Sequence, residues 1–314
     1  MIGKIIFLVF LIVLLGVASW FLYQNLPGDP EQFIMEEINN PDNLNNLPEI
    51  QYSETPMFYS NIRFNHNQIS YNIESSCSQE RVLKMEDAFF ILHNKTKIIS
   101  FYPVGSENAD ISIGCSENYL SQEENLFVAG EGGPSEIVNT SLYTVILKGK
   151  MMLYKESLCR APIVELHELL HVFGFDHSNN PKNIMYNFSS CNQEITKDIT
   201  DNLISLYSIE PLPDLSIEEV NATKRGRYFD FKIKIINQGL EDITNSSFIV
   251  SSDEEDIYIT SLGEMAFGEG KILEAKNLKL PSRNTEKVRF IVDGENEIRE
   301  LREDNNAIEL SVGS

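Results

Sequence analysis

Eleven residues constrain this chain more than any other part of it: His167-Glu-Leu-Leu-His171-Val-Phe-Gly174-Phe-Asp-His177. Positions i and i+4 share one face of a helix, so His167 and His171 can aim both imidazoles at one point. The surrounding pattern predicts that helix over 162–173, with Pro162 near its first turn and Gly174 just past its end. Gly174 can adopt positive φ, end the helix and let the chain swing back to present His177. The chain has five histidines, and three of them fall in this stretch. Three protein nitrogens leave one position of a zinc ion open, which is the pattern of a catalytic site rather than a structural one. Glu168 sits beside the first ligand, where a carboxylate can take a proton from water. A bare H-E-x-x-H arises by chance in about 1 chain in 100 of this length, whereas the full spacing with glycine and the last histidine arises in about 1 in 10^5. A helix with surface histidines explains neither Gly174 nor His177.

The N-terminus fixes where such a site would work. Residues 5–23 run without a charge for about 19 residues, near the ~20 that a bilayer-crossing helix needs. A cleaved signal has a shorter apolar core, and Val17-Ala18-Ser19 is only a fair cleavage site. We therefore expect an uncleaved, single-pass anchor at 5–23, with residues 1–4 in the cytoplasm. Lys4 lies before the span and Asp29 and Glu31 after it, which puts the rest of the chain outside the cell. The alternative is secretion after signal cleavage. A net charge of -22 argues against nucleic acid as a partner. Four cysteines, Cys77, Cys115, Cys159 and Cys191, suit an exported chain with two disulfides. None forms a C-x-x-C pair. N-x-S/T sites fall at Asn94, Asn139, Asn187, Asn221 and Asn245.

The chain then divides by pattern. Residues 24–48 are rich in proline, asparagine and acids and read as a stalk. Residues 49–209 mix strands and helices. Strands are predicted at 68–74, 97–104 and 109–115 and helices at 80–93, 162–173 and 196–207. Gly130-Glu-Gly-Gly-Pro134 reads as a loop, and 142–154 as two strands around Lys148-Gly149-Lys150. Pro211-Leu-Pro213 breaks the chain. Residues 215–314 hold only short strand patterns, as in a β-sandwich of about 100 residues. The expected fold class is therefore an α/β (α+β) unit with a special helix, followed by an all-β immunoglobulin-like sandwich, after an N-terminal transmembrane helix.

HELLHVFGFDH matches the metzincin pattern H-E-x-x-H-x-x-G-x-x-H at every fixed position. Asn183-Ile-Met185-Tyr186 resembles the methionine turn of the matrixins within that group. Ala109–Ile113 is similar to a matrixin core strand, and Gly130–Pro134 to the glycine-rich loop before the substrate-binding edge strand. The resemblance covers roughly residues 60–208. It implies a zinc metalloendopeptidase acting on protein or peptide substrates, with His167, His171 and His177 binding one Zn2+, Glu168 as general base and Met185 beneath the metal. Tyr186 directly follows the methionine, one position short of the offset in relatives with a tyrosine ligand. We find no cysteine-switch propeptide. His66 and His93 read as ordinary surface or capping residues rather than a second zinc site, and calcium sites are not legible. Glu194 lies where a gluzincin would place a third ligand, a role that His177 already fills. Residues 215–314 resemble the CARDB family of surface adhesion domains through Phe290–Asn306 and Asn237-Gln-Gly239, which implies a binding or spacing module with a possible surface partner.

Three expectations remain. An extended substrate pairs with an edge strand within 134–148, with 142–148 the best candidate. Four cysteines allow three connectivities. Cys77–Cys115 and Cys159–Cys191 are favoured, because the first ties the start of the long helix to a core strand and the second braces the chain around the zinc helix. The competing class of function is a surface adhesion protein with an inactive metzincin-like domain. Against it stands Glu168, the residue that decayed enzymes tend to lose.

Overall fold

Periodicity and capping set the elements, and non-local pairing assembles them. A computed structural model describes residues 2–36, 54–117, 121–123, 126–154, 158–253 and 255–313. Contacts divide the chain into two units. One comprises Met1–Pro41 with Leu212–Ser314, and the other Asp42–Pro211.

The first unit begins with helix α1 (Ile2–Asn25), in which an 18-residue window within Lys4–Asn25 has a mean hydropathy of 3.0 with none of that window buried. It is the one helix among the described residues long and apolar enough to cross a membrane. Strand β1 (Pro30–Glu36) follows. The stalk expected over 24–48 thus contains a strand. Its alternation is short and flanked by proline, so the pattern alone did not reveal it; its pairing partner lies far away in sequence.

The middle unit contains β2 (Ile62–Phe64), β3 (Gln68–Ile73), α2 (Gln79–Thr96), β4 (Ser100–Pro103), β5 (Ile111–Cys115), β6 (Ser121–Glu123), β7 (Leu126–Phe127), β8 (Gly130–Asn139), β9 (Thr144–Leu153), α3 (Ile163–Val172) and α4 (Lys197–Ser208). Ser78 caps α2 by accepting from the Arg81 N–H, which explains why that helix starts there. β2, β3, β4, β5 and β9 are joined by parallel pairs, while β8 runs antiparallel to β9. β8 covers one side of β9 from Thr144 to Leu153, so β2 and β5 share the other side. β8 is therefore an edge strand.

Three expectations change here. The predicted glycine loop at 130–134 is the first half of β8. The two strands expected at 142–154 are a single strand, β9, that passes straight through Gly149. A Cβ at Gly149 would lie 2.4 Å from Val172 Cγ1, so the glycine serves helix packing instead of a turn. Because β9 is flanked on both sides, 142–148 is not an edge of the sheet; β8 is.

α2, α3 and α4 contribute to one apolar core with the sheet, including Met85, Leu92, Leu169, Leu170, Phe173 and Leu203. Buried Arg63 donates to the carbonyls of Leu206 and Ile209 and stacks 4.8 Å from the Tyr207 ring centre, fastening β2 to the end of α4. Disulfides join Cys77 to Cys115 and Cys159 to Cys191.

The rest of the first unit is all β: β10 (Leu215–Arg225), β11 (Tyr228–Asn237), β12 (Ser247–Ser252), β13 (Glu255–Ser261), β14 (Gly270–Lys279), β15 (Lys287–Val292) and β16 (Ala307–Ser311). They form two sheets, ordered β1-β10-β11-β14 and β13-β12-β15-β16. Inward alternation on β11 and β12 buries Phe229, Phe231, Ile233, Phe248 and Val250 between them.

Candidate metal centre

The local sequence of α3 makes a helix that is buried along its whole length, from Ile163 to Val172. Leu166, Leu169 and Leu170 belong to the core, which fixes the rotation of the helix and so the direction of His167, Glu168 and His171. Gly174 ends it at φ +91°, in the left-handed region that favours glycine. A Cβ there would also lie 2.3 Å from Ile62 Cγ2. The freed carbonyls are satisfied by Gly174 N–H to His171 O at 2.9 Å and Phe175 N–H to Leu170 O at 3.1 Å. The chain then turns and carries His177 back.

The three imidazoles converge. His171 Nε2 lies 3.0 Å from His167 Nε2 and 3.3 Å from His177 Nε2. Among the described residues this is the one group of three or more such side chains placed to share an ion. Nitrogens around a tetrahedral zinc at 2.0–2.1 Å stand about 3.3 Å apart. The opposite ring nitrogens explain the orientation. His167 Nδ1 is 2.7 Å from Ile184 O and His171 Nδ1 is 2.7 Å from Phe175 O. A carbonyl can only accept, so each Nδ1 carries the proton and each Nε2 presents a lone pair. Burial, and then the neighbouring imidazoles, depress His167 to about 4. Burial likewise lowers His171. Both rings are therefore neutral at pH 7, the form a metal requires. Two lone pairs fixed by those tautomers, with the His177 ring nitrogen converging on the same place, fit a cation.

Glu168 stands next to this group and is buried. Burial first, then Glu131 and Glu165, push its carboxyl up to about 8. A divalent cation among the imidazoles opposes that rise, because an opposite charge favours the ionised carboxylate. The first residues of β8 pass directly over it. A Cβ at Gly130 would lie 2.7 Å from Glu168 Cγ, and one at Gly132 would lie 2.2 Å from the Glu168 backbone oxygen. The glycine-rich start of the edge strand is thus a close backbone approach to α3.

Residues 63–208 match the family model of the matrixins, and residues 212–310 match that of CARDB. This is a matrixin domain followed by a CARDB domain. The matrixin match places residues 63–208 in a zinc-dependent metallopeptidase family. No curated protein matches the chain. Among solved structures, the chain is similar to the CARDB domain of a Pyrococcus furiosus protein, crystallised with di-metal ions (19% identity over 32% of this chain and 88% of that one, TM-score 0.28). It is similar to the solution structure of the same domain (19%, 33% and 95%, TM-score 0.28) and to a domain of a Methanosarcina acetivorans protein (20%, 33% and 92%, TM-score 0.28).

In the matrixin domain Met185 is fully buried in the core, and its carbonyl accepts from the Ser178 N–H at 2.8 Å. Glu194 is exposed and outside the imidazole group; its backbone instead pairs with the methionine turn through Ile184 N–H at 2.9 Å. Tyr186 is 5.9 Å from the Phe188 ring. His66 bonds Asp110 at 3.1 Å and His93 bonds Ile99 O at 2.8 Å, so both belong to local structural networks.

Two residues escaped the sequence reading. Asn183 holds the methionine turn: its Oδ1 accepts from Met185 N–H at 2.8 Å, while its Nδ2 donates to Thr55 and Thr196 at 2.8 and 2.9 Å. Its identity next to Ile-Met was the only available signal. Phe58 stacks on His171 with ring centres 5.7 Å apart and planes at 16°, yet remains 41% exposed. Its N–H donates to Gly174 O at 2.8 Å. No motif marks it.

Proposed function

We propose that the protein is a zinc-dependent endopeptidase anchored in the cell membrane by α1, with its matrixin and CARDB domains outside the cell. The observation that carries this reading is the convergence of the three imidazoles of His167, His171 and His177 beside the buried Glu168, under an edge strand. His167, His171 and His177 would hold the zinc. When bound, that ion supplies a Lewis acid for the scissile carbonyl and acidifies a water molecule.

The chain's own residues do the rest. Glu168 takes a proton from the attacking water and delivers it to the leaving amine nitrogen. Its burial keeps bulk water from competing for that proton. The free side of β8 pairs with an extended substrate by main-chain hydrogen bonds, setting the scissile bond over α3. Met185 and Asn183 keep the floor of the site rigid. Phe58 buttresses His171 and offers an apolar wall to a substrate side chain. The single apolar helix, two disulfides and a CARDB domain support an exported location. The sandwich would provide spacing or a surface for a partner.

Digestion of a peptide library by the purified full chain, with and without a zinc chelator, tests the activity. Cleavage that stops on chelation and returns with zinc is expected. His171→Ala should lose both metal and cleavage. A folded, zinc-loaded protein that cuts no peptide would leave the adhesion reading in its place.

A further inference from the structure

The end of α1 is capped only in part by its own residues, through Asn25 Nδ2 to Phe21 O at 2.8 Å and Leu26 N–H to Leu22 O at 2.9 Å. No basic residue lies in its last turn, and the final carbonyls of any helix need donors from elsewhere. Here the carbonyls of Tyr23, Asn25 and Leu26 find theirs on the sandwich. Arg283 Nη1 donates to Tyr23 O at 2.9 Å and to Leu26 O at 3.3 Å. The Tyr228 hydroxyl donates to Asn25 O at 3.1 Å. The Arg283 backbone N–H reaches Gln24 Oε1 at 3.3 Å, and its guanidinium carbon lies 4.6 Å from the centre of the Tyr23 ring. A cation at a helix C-terminus also opposes the helix dipole. The backbones approach closely at this point. A Cβ on Gly28 would lie 3.0 Å from Gly226 N, and Gly226 has φ +65° in the β10–β11 turn.

The chain beyond the helix stays on the same body. β1 pairs antiparallel with β10 over its whole length, from Pro30 opposite Arg225 to Glu36 opposite Glu219. Phe33 packs against the sandwich core. β10 would otherwise be an edge of its sheet. The polypeptide leaves this ladder after Glu36 and re-enters it at Leu215, at the same end of the β1–β10 pair.

From this we infer that the CARDB sandwich is the membrane-proximal mount of the protein: it grips the outer end of the anchor through Arg283, Tyr228 and β1, and carries the matrixin domain as an insertion between its first two strands. The inference rests on reading α1 as a membrane anchor. It adds that the sandwich's β10 edge is filled by the chain itself and is closed to strand-adding partners. It also assigns residues 30–36 to the sandwich, so a sandwich begun at residue 212 lacks an edge strand.

The test uses the full chain in native membranes. Ile34→Cys with Asn221→Cys places two thiols at directly opposed positions of the ladder. This pair should form a disulfide, whereas Ile34→Cys with Lys232→Cys, one strand further on, should not. Failure of the first pair to cross-link while Cys77–Cys115 and Cys159–Cys191 form normally overturns the proposal. Alkaline carbonate separates the two readings. A cross-linked chain that stays in the membrane pellet supports the mount. A cross-linked chain that is extracted refutes the anchor, and with it the membrane-proximal mount, while leaving the ladder intact. Arg283→Ala should speed cleavage within residues 24–29 by added proteinase K with the cross-link unchanged. An unchanged cleavage rate removes Arg283 from the grip and overturns that part of the proposal.

Discussion

The matrixin domain and the sandwich each bury a glutamate, and burial pushes both carboxyls up to about 8. Their surroundings differ. Glu168 stands among convergent imidazole nitrogens, with glycines of an edge strand against it. Glu300 accepts from Leu215 N–H and from Asn306 Nδ2, and so ties the end of the sandwich's last long loop to the start of β10. Asp214 beside it is bound by Arg302 at 3.1 Å and Asn305 at 2.8 Å. Under the proposed function one perturbed carboxyl serves chemistry, while the other serves architecture. A shifted acid does not mark a site by itself; lone pairs aimed at a shared point beside it do.

Substitutions sharpen this contrast, ranked by their effect on cleavage. Glu168→Gln keeps the side chain's size and removes its basicity, so turnover should fall by the ~10²–10⁴-fold typical of a lost general base. Metal analysis should still find zinc bound. Loss of zinc as complete as in His171→Ala would make Glu168 a ligand or a folding residue and sink the proposed mechanism.

Gly132→Ala comes next. Its Cβ would meet the Glu168 backbone oxygen at 2.2 Å, so β8 must move off α3. A displacement near 1 Å at a catalytic group can cost about 10²-fold in rate. In the sandwich, Gly270→Ala meets nothing closer than Ile236 Cγ1 at 3.2 Å and should leave cleavage unchanged. Peptide kinetics on both variants check the pair. Equal effects would mean that the glycines over Glu168 have no special role.

Phe58→Ala removes the ring stacked on His171. An aromatic contact of this kind is worth about 0.5–1.5 kcal/mol, so zinc affinity should weaken by roughly 2- to 12-fold. Competition with a metallochromic chelator measures it. Unchanged affinity together with a changed cleavage preference would make Phe58 a substrate wall only.

Glu300→Gln should leave cleavage untouched and alter only the pH dependence of folding. The folded carboxyl sits at about 8 and the unfolded one near its ordinary 4.5. Between those values the folded state holds the extra proton, so stability falls as pH rises from about 4.5 through 8. The glutamine variant removes that loss. Its sandwich should unfold with a flatter pH profile across this window, and a profile as steep as the wild type's would show that Glu300 does not cause it.

The sequence by itself determined the elements whose signals are local. The eleven residues from His167 to His177 set a helix, its glycine stop and the return of a third imidazole, because i,i+4 geometry and positive φ follow from neighbouring residues. The 19-residue apolar run and the alternating strands of residues 215–314 were legible for the same reason. Tertiary structure decided what depends on distant partners. Gly130–Pro134 read as a loop because glycine normally disfavours strands, yet here it lets β8 lie against Glu168. Gly149 read as a turn, yet it only makes room for Val172. Residues 142–148 looked like an edge strand, but edge or centre is a property of the sheet and not of the strand. β1 was hidden in a proline- and asparagine-rich stretch because its pairing energy comes from β10, almost two hundred residues away. Such contacts gain their free energy only after the intervening chain has folded, and so leave no local trace.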